Sequence, residues 1–195
     1  MKISFQQLPA CRTLVICIFS ITCSCVYFNT FYNAKKYFKD AEKIRLVNEN
    51  RSLPINAQNA YTKVIEKCDL VLDKYPDSDY VNFALLLSSQ AHYHKEEYSS
   101  SELRLKQLQQ AGDSDFIQQA KFWMSLIKWK KGKIQPGIDQ LNELLKEELY
   151  TITPTVIHLY LADIHIELKD IETSLLHLET AAEKTVERDE KGRIY

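Results

Sequence analysis

Histidine and cysteine are the side chains here most able to hold a metal or attack a substrate, and the chain has five of each. His92 and His94 are two residues apart, which on a helix points them in different directions, and His158 and His165 share a face only across two turns. A zinc site needs three or four converging ligands, and Cys68 belongs to a different stretch of the chain. No metal site is therefore expected. There is also no glycine-rich phosphate loop, no Gly-x-Ser-x-Gly elbow and no His-Glu-x-x-His. Glu143, Glu147, Glu148, Asp163 and Glu167 are scattered as solvated helix-surface charges are, without the matched spacing that a paired-carboxylate mechanism needs. These residues read as a protein that is not an enzyme, carries no cofactor and has no evident small-molecule substrate.

The cysteines are informative in another way. Cys11, Cys17, Cys23 and Cys25 crowd the first 25 residues, which argues against a disulfide framework. That stretch holds Lys2 and Arg12 with no acid, an apolar run over residues 13–21, and then Thr22-Cys23-Ser24 before Cys25. It resembles a bacterial lipoprotein signal, in which cleavage exposes a cysteine that is then lipidated. Small Ser24 makes Cys25 the better acceptor and Cys23 the alternative; Thr22 stands where such signals usually carry leucine. A second reading is an uncleaved signal anchor, although the apolar run is shorter than the ~20 residues of a spanning helix. With a net charge of -1 and no basic face, a nucleic-acid partner is not expected.

The elements that would position any functional residue are helices. Three stretches beginning at residues 91, 127 and 164, so 36 and 37 residues apart, each hold the end of one amphipathic helix, a polar turn and the start of the next. A unit of that size cannot bury its apolar face alone and must stack on its neighbours. The expected fold is all-α, a solenoid of antiparallel helix pairs. A first helix runs to about residue 48, with Phe31, Ala34, Phe38 and Ala41 at three- and four-residue steps. Its aromatic density suits an N-terminal cap on the stack better than contact with lipid headgroups. Further helices are expected over 57–74, 78–95, 98–111, 114–131, 134–148, 154–168 and 171–184. Pro76 ends one of them and Ser78 can cap the next, Gly112 and Gly132 suit turns of positive φ, and Gly137 sits inside a helix, where close approach of a neighbour would compensate for its cost. The boundaries are a signal peptide over 1–24, an N-terminal helix pair over 25–77, three helix pairs over 78–188, and the start of a further helix over 189–195, as in a fragment of a longer protein.

The helix pairs resemble tetratricopeptide repeats over about residues 26–195. In the last unit the pattern positions hold His158, Leu161, Ala162, His165, Ser174, Leu178 and Ala181. In the others the small slots are Ser89 with Ser101 and Ser125 with Gly137, while Leu108 and Leu144 replace the last alanine. The stretch over residues 71–80, with its Tyr75-Pro76-Asp77-Ser78 joint, and the early Phe28-Asn29-Thr30-Phe31-Tyr32-Asn33-Ala34 run resemble periplasmic repeat lipoproteins related to BamD, the lipoprotein of the outer-membrane β-barrel assembly machine.

That resemblance implies a membrane-tethered scaffold facing the periplasm, and Val26 after the acceptor cysteine favours the outer membrane. It further implies that the first helix of each pair lines a groove for a peptide of an envelope protein. By register the candidates are Phe83, Leu87, Gln90, Tyr93, His94, Phe122, Trp123, Leu126, Trp129, Lys130, Tyr160 and Asp163. Tryptophan and tyrosine at helical spacing also suit a core, and Trp123 and Trp129, six apart, lie on different faces. Two other functions remain open: a non-catalytic helical domain of a larger envelope enzyme or glycan-binding protein, and a cytosolic adaptor with a fortuitous apolar start.

Overall fold

The computed structural model describes residues 29–48, 51–110, 113–148 and 151–184. The signal peptide, Cys25, Gly112 and the further helix expected over 189–195 lie outside the described residues. Among those described, every regular element is a helix and no strand occurs. In chain order these are α1 (29–47), α2 (Ile55–Lys74), α3 (Val81–His94), α4 (Tyr98–Gln110), α5 (Ser114–Lys130), α6 (Ile134–Leu144), α7 (Pro154–Glu167) and α8 (Ile171–Lys184). No helix among the described residues is long and apolar enough to cross a membrane. The chain divides into two compact units, one ending at Leu87 and the other beginning at Ser88.

In the first unit, α2 buries Ala57, Tyr61, Val64, Cys68 and Val71, three- and four-residue steps that place one stripe on one face. Two aromatic residues of α1, Phe31 and Phe38, pack against other rings, whereas Tyr32 is exposed. Phe31 is buried with its ring 5.1 Å from Tyr80, and Phe38 meets Tyr61 edge-on at 5.8 Å. The fully buried Tyr61 hydroxyl donates to the Glu42 carboxylate, which Arg45 also holds at 2.7 Å. Burial first, and then the neighbouring carboxylate, push the Tyr61 hydroxyl far above its ordinary range, so it stays a donor. The helix after Pro76 starts three residues later than expected. Ser78 Oγ accepts from the Tyr80 backbone N–H at 3.0 Å, which caps the intervening turn instead of the helix itself.

In the second unit each helix packs on the next in sequence, α4 on α5, α5 on α6, α6 on α7 and α7 on α8. One turn recurs. Glu96 N–H reaches Tyr93 O and Glu97 N–H reaches His92 O, both at 2.9 Å; Gly132 and Lys133 repeat the pattern on Trp129 and Lys128, and Lys169 and Asp170 repeat it on Ile166 and His165. This pair of bonds satisfies the last orphan carbonyls of a helix and requires a residue of positive φ. Gly132 has φ 78°, and Glu96 and Lys169 adopt 62° despite their side chains.

Past each turn the returning helix approaches its predecessor at a small residue. Ser101 Oγ donates to Ser89 O at 2.8 Å, and Ser174 Oγ donates to Ala162 O at 3.1 Å. At the middle joint a β-carbon on Gly137 would stand 2.9 Å from Ser125 O, so the helices there are closer than any side chain allows. The close approach expected at Gly137 is thus present, against α5.

Helix α6 ends at Leu144, short of the expected 148. Lys146 and Glu147 close tighter turns on Glu143 O and Leu144 O, while Gln118 of α5 takes the Glu148 carbonyl at 2.6 Å. Helix α7 begins as the sequence suggests, with Pro154 in its first turn and the Thr153 side chain accepting from Val156 N.

Candidate binding surface

The second unit carries ten of the twelve groove candidates, and its aromatic members form a connected chain. Tyr93 and His94 at the end of α3 meet Trp123 of α5 edge-on, with ring centroids 5.2 and 5.8 Å apart. Trp123 meets Phe122 at 5.7 Å, and Phe122 meets Tyr160 of α7 at 5.4 Å, both near perpendicular. Edge-to-face contacts of this kind add roughly 0.5–1.5 kcal/mol each beyond area burial. Tyr98, opening α4, closes the other side of Tyr93 at 5.7 Å. Burial first, and then the charge of Glu96, raise its hydroxyl above the ordinary tyrosine range.

The middle of this chain is core. Trp123 is 9% exposed, Trp129 7% and Leu126 fully buried, so their area is already used in joining helices. Phe122 and Tyr93 are buried too. What faces solvent is the rim: Gln90, His94 and Tyr160 are half-buried, and Lys130 and Asp163 are exposed. Phe83 and Leu87 belong to the first unit, where Phe83 is 48% exposed beside Phe31 and Tyr80.

Trp129 has polar partners that explain its place near the surface. Its indole Nε1–H donates to Glu167 Oε2 at 3.1 Å, and the Lys130 ammonium lies 3.4 Å above its ring and 3.9 Å from the same carboxylate. The exposed carboxylate and ammonium border the buried indole between the ends of α5 and α7.

Two features escape the register argument. A cleft of about 290 Å³ between α4 and the end of α5 is lined by Lys106, Lys128, Lys131, Lys133, Glu102 and the apolar Met124 and Ile127. Lys106 and Lys131 both hold Glu102, at 3.0 and 3.1 Å, and these bonds keep its carboxyl below the usual carboxylate range against a smaller opposing effect of burial. The run Lys128-Trp129-Lys130-Lys131-Gly132-Lys133 was the available signal for it. The second feature is His177 on α8, which meets His158 of α7 with Nδ1 atoms 3.0 Å apart. Nothing in the spacing of nineteen residues announces that contact, because it depends on how two helices pack.

No three His, Cys, Asp or Glu side chains among the described residues converge as metal ligands. Cys68 is buried. The chain matches no family model, no curated protein and no solved structure.

Proposed function

We propose that this chain is a tetratricopeptide-type lipoprotein, anchored through Cys25 to the outer membrane and facing the periplasm, where its repeated helix pairs act as a protein–protein interaction scaffold. The single observation that supports this reading most is the recurrence of one helix-pair joint. The same turn, with the same bonds and one residue of positive φ, appears at Glu96, Gly132 and Lys169, and a small residue follows each at the helix crossing. Joints of the same kind would add each pair to the last by a similar rotation, as in a solenoid whose first helices lie side by side as a binding face. The half-exposed edges of His94 and Tyr160, with Lys130 and Asp163 beside them, supply aromatic anchors and charges for an extended or helical peptide.

The BamD-like resemblance of the Tyr75-Pro76-Asp77-Ser78 joint points to outer-membrane protein assembly as the setting. The test has two parts. Intact mass and membrane fractionation of the native chain, Cys25→Ala and Cys23→Ala should find a mature acylated species released to the soluble fraction by Cys25→Ala alone. A photo-crosslinking residue at position 160 should then capture an envelope protein that the same residue at position 143, on α6, does not capture. An unprocessed chain sinks the lipoprotein reading, and equal capture at both positions sinks the groove.

A further inference from the structure

The second helix of each pair in the second unit has two kinds of neighbour. A small residue, Ser101, Gly137 or Ser174, brings it against its own first helix. The helix that follows then packs on it, α5 on α4 and α7 on α6. The positions just past the small residue are Glu102 and Leu105 on α4, Ile138 and Leu141 on α6, and Leu175 and Leu178 on α8. Leu105 and Leu141 are fully buried and Ile138 is 7% exposed, whereas Leu175 is 53% exposed and Leu178 is half-buried. No helix follows α8 among the described residues.

The unfilled side of α8 has a definite chemistry. Ile171, Leu175, Leu178 and Ala182 recur at alternating four- and three-residue steps, the spacing of a seam that one further helix packs along. Glu172, Glu179 and Glu183 each follow a seam residue directly and are exposed, so carboxylates run along one border of the apolar stripe. The joint between α4 and α5 shows how such a border is met: Lys131, just past the end of α5, holds Glu102 of α4 at 3.1 Å. We propose that the Ile171–Ala182 face of α8, apolar along its seam and acidic along its border, docks a basic amphipathic helix of a partner protein, which takes the place that α5 takes on α4 and α7 on α6.

Charge decides among the possible occupants. A second copy of α8 would set carboxylates against carboxylates, with Lys184, at the last position of the helix, as its one lysine. Like charges facing one another oppose association. A bilayer surface is disfavoured in the same way, because helices that lie on anionic lipid carry lysine and arginine beside their apolar face, not glutamate. A helix with leucine-like residues at three- and four-residue steps and lysine or arginine beside them meets both demands, and charges at the border of such a seam set the choice of partner. None of the groove candidates contributes to this face.

The full-length protein in non-ionic detergent should be titrated into two fluorescent heptad peptides, both with leucine at the seam, one bordered by lysine and the other by glutamate. The basic peptide is expected to bind saturably, one per chain, and the acidic peptide at least about tenfold more weakly. Leu175→Gln should weaken the basic peptide by at least about tenfold, and in the same detergent it subtracts any binding to micelles. Leu175 is exposed, so this change leaves α8 packed on α7, which circular dichroism checks. Glu172→Lys combined with Glu179→Lys should reverse the preference between the peptides, while Tyr160→Ala on the groove rim should leave it unchanged. Equal affinity for the two peptides overturns the proposal, as does binding that survives Leu175→Gln or that falls with Tyr160→Ala instead. A dimer of the protein alone that Leu175→Gln dissociates in sedimentation would also overturn it, by giving the face to a second copy.

Discussion

Gly137→Ala sets two effects of opposite sign against each other. Alanine in a helix interior is ordinarily better than glycine by about 1 kcal/mol. At this position the new methyl would lie 2.9 Å from Ser125 O and 3.3 Å from Trp129 N, both backbone atoms of α5. No side-chain rotation relieves such contacts, so α6 must move away from α5 by some tenths of an ångström. That motion loosens Ile138, Leu141 and Leu144, which are buried on α6. Overpacking of this kind costs about 1–3 kcal/mol, so the expected net change, after the propensity gain of about 1 kcal/mol, is a loss of roughly 0–2 kcal/mol. For a chain of 195 residues this lowers the unfolding midpoint by about 2–4 °C per kcal/mol. Urea and thermal unfolding followed by far-ultraviolet circular dichroism would measure it. Gly132 is the internal comparison: a β-carbon there meets nothing within 4 Å, but φ is 78°. Gly132→Asn should therefore recover most of the stability lost in Gly132→Ala, because asparagine tolerates left-handed backbone, whereas Gly137→Asn should be worse than Gly137→Ala. A Gly137→Ala variant more stable than the parent by the full ~1 kcal/mol of helix propensity would refute the close-approach argument.

Three further outcomes are expected. Lys169→Gly removes a side chain from a residue at φ 62° and should stabilise the protein by roughly 0.5–1 kcal/mol in urea unfolding; a loss of stability would mean the turn is not strained there. Tyr61→Phe deletes a buried donor to the Glu42 carboxylate and should cost about 1.5–3 kcal/mol, with Glu42→Gln restoring part of it in the double mutant; an unchanged midpoint would show that the bond contributes nothing. For Glu97, burial pushes its carboxyl up, but the hydrogen bonds and charges of Lys95 and His92 together outweigh that and hold it below the ordinary 4.5. A carboxyl depressed in the folded state binds fewer protons there than in the unfolded chain, so its stabilisation is present above pH 4.5 and is lost as pH falls through the lower folded value. The stability gap between the parent and Glu97→Gln should accordingly close below pH 4.5, and a gap that persists unchanged in acid would count against the assignment.

Element type and most boundaries were written locally. The three- and four-residue apolar steps of α2, the Pro76 stop, Pro154 behind Thr153, and the recurrence at 91, 127 and 164 all act within a turn or two of the chain, so they can be read without knowing what packs where. The small slots at 89 and 101, 125 and 137, and 162 and 174 were legible because a repeat displays its own register, and these are the pairs that the structure brings into contact. Other properties depend on non-local packing. Whether Trp123 and Trp129 face a ligand or a neighbouring helix turns on rotations about helix axes that a register cannot resolve, and tertiary packing sets both mostly inside. Helix α6 stops at Leu144, and past its end the Glu148 carbonyl is taken by Gln118, thirty residues before Glu148 in the chain. His177 gains a partner in His158 only once α8 folds back on α7. Periodicity determined that this chain makes helix pairs, since burial of one face per helix is a local demand; which side chains remain to bind anything was decided by packing, since exposure is a property of the neighbours.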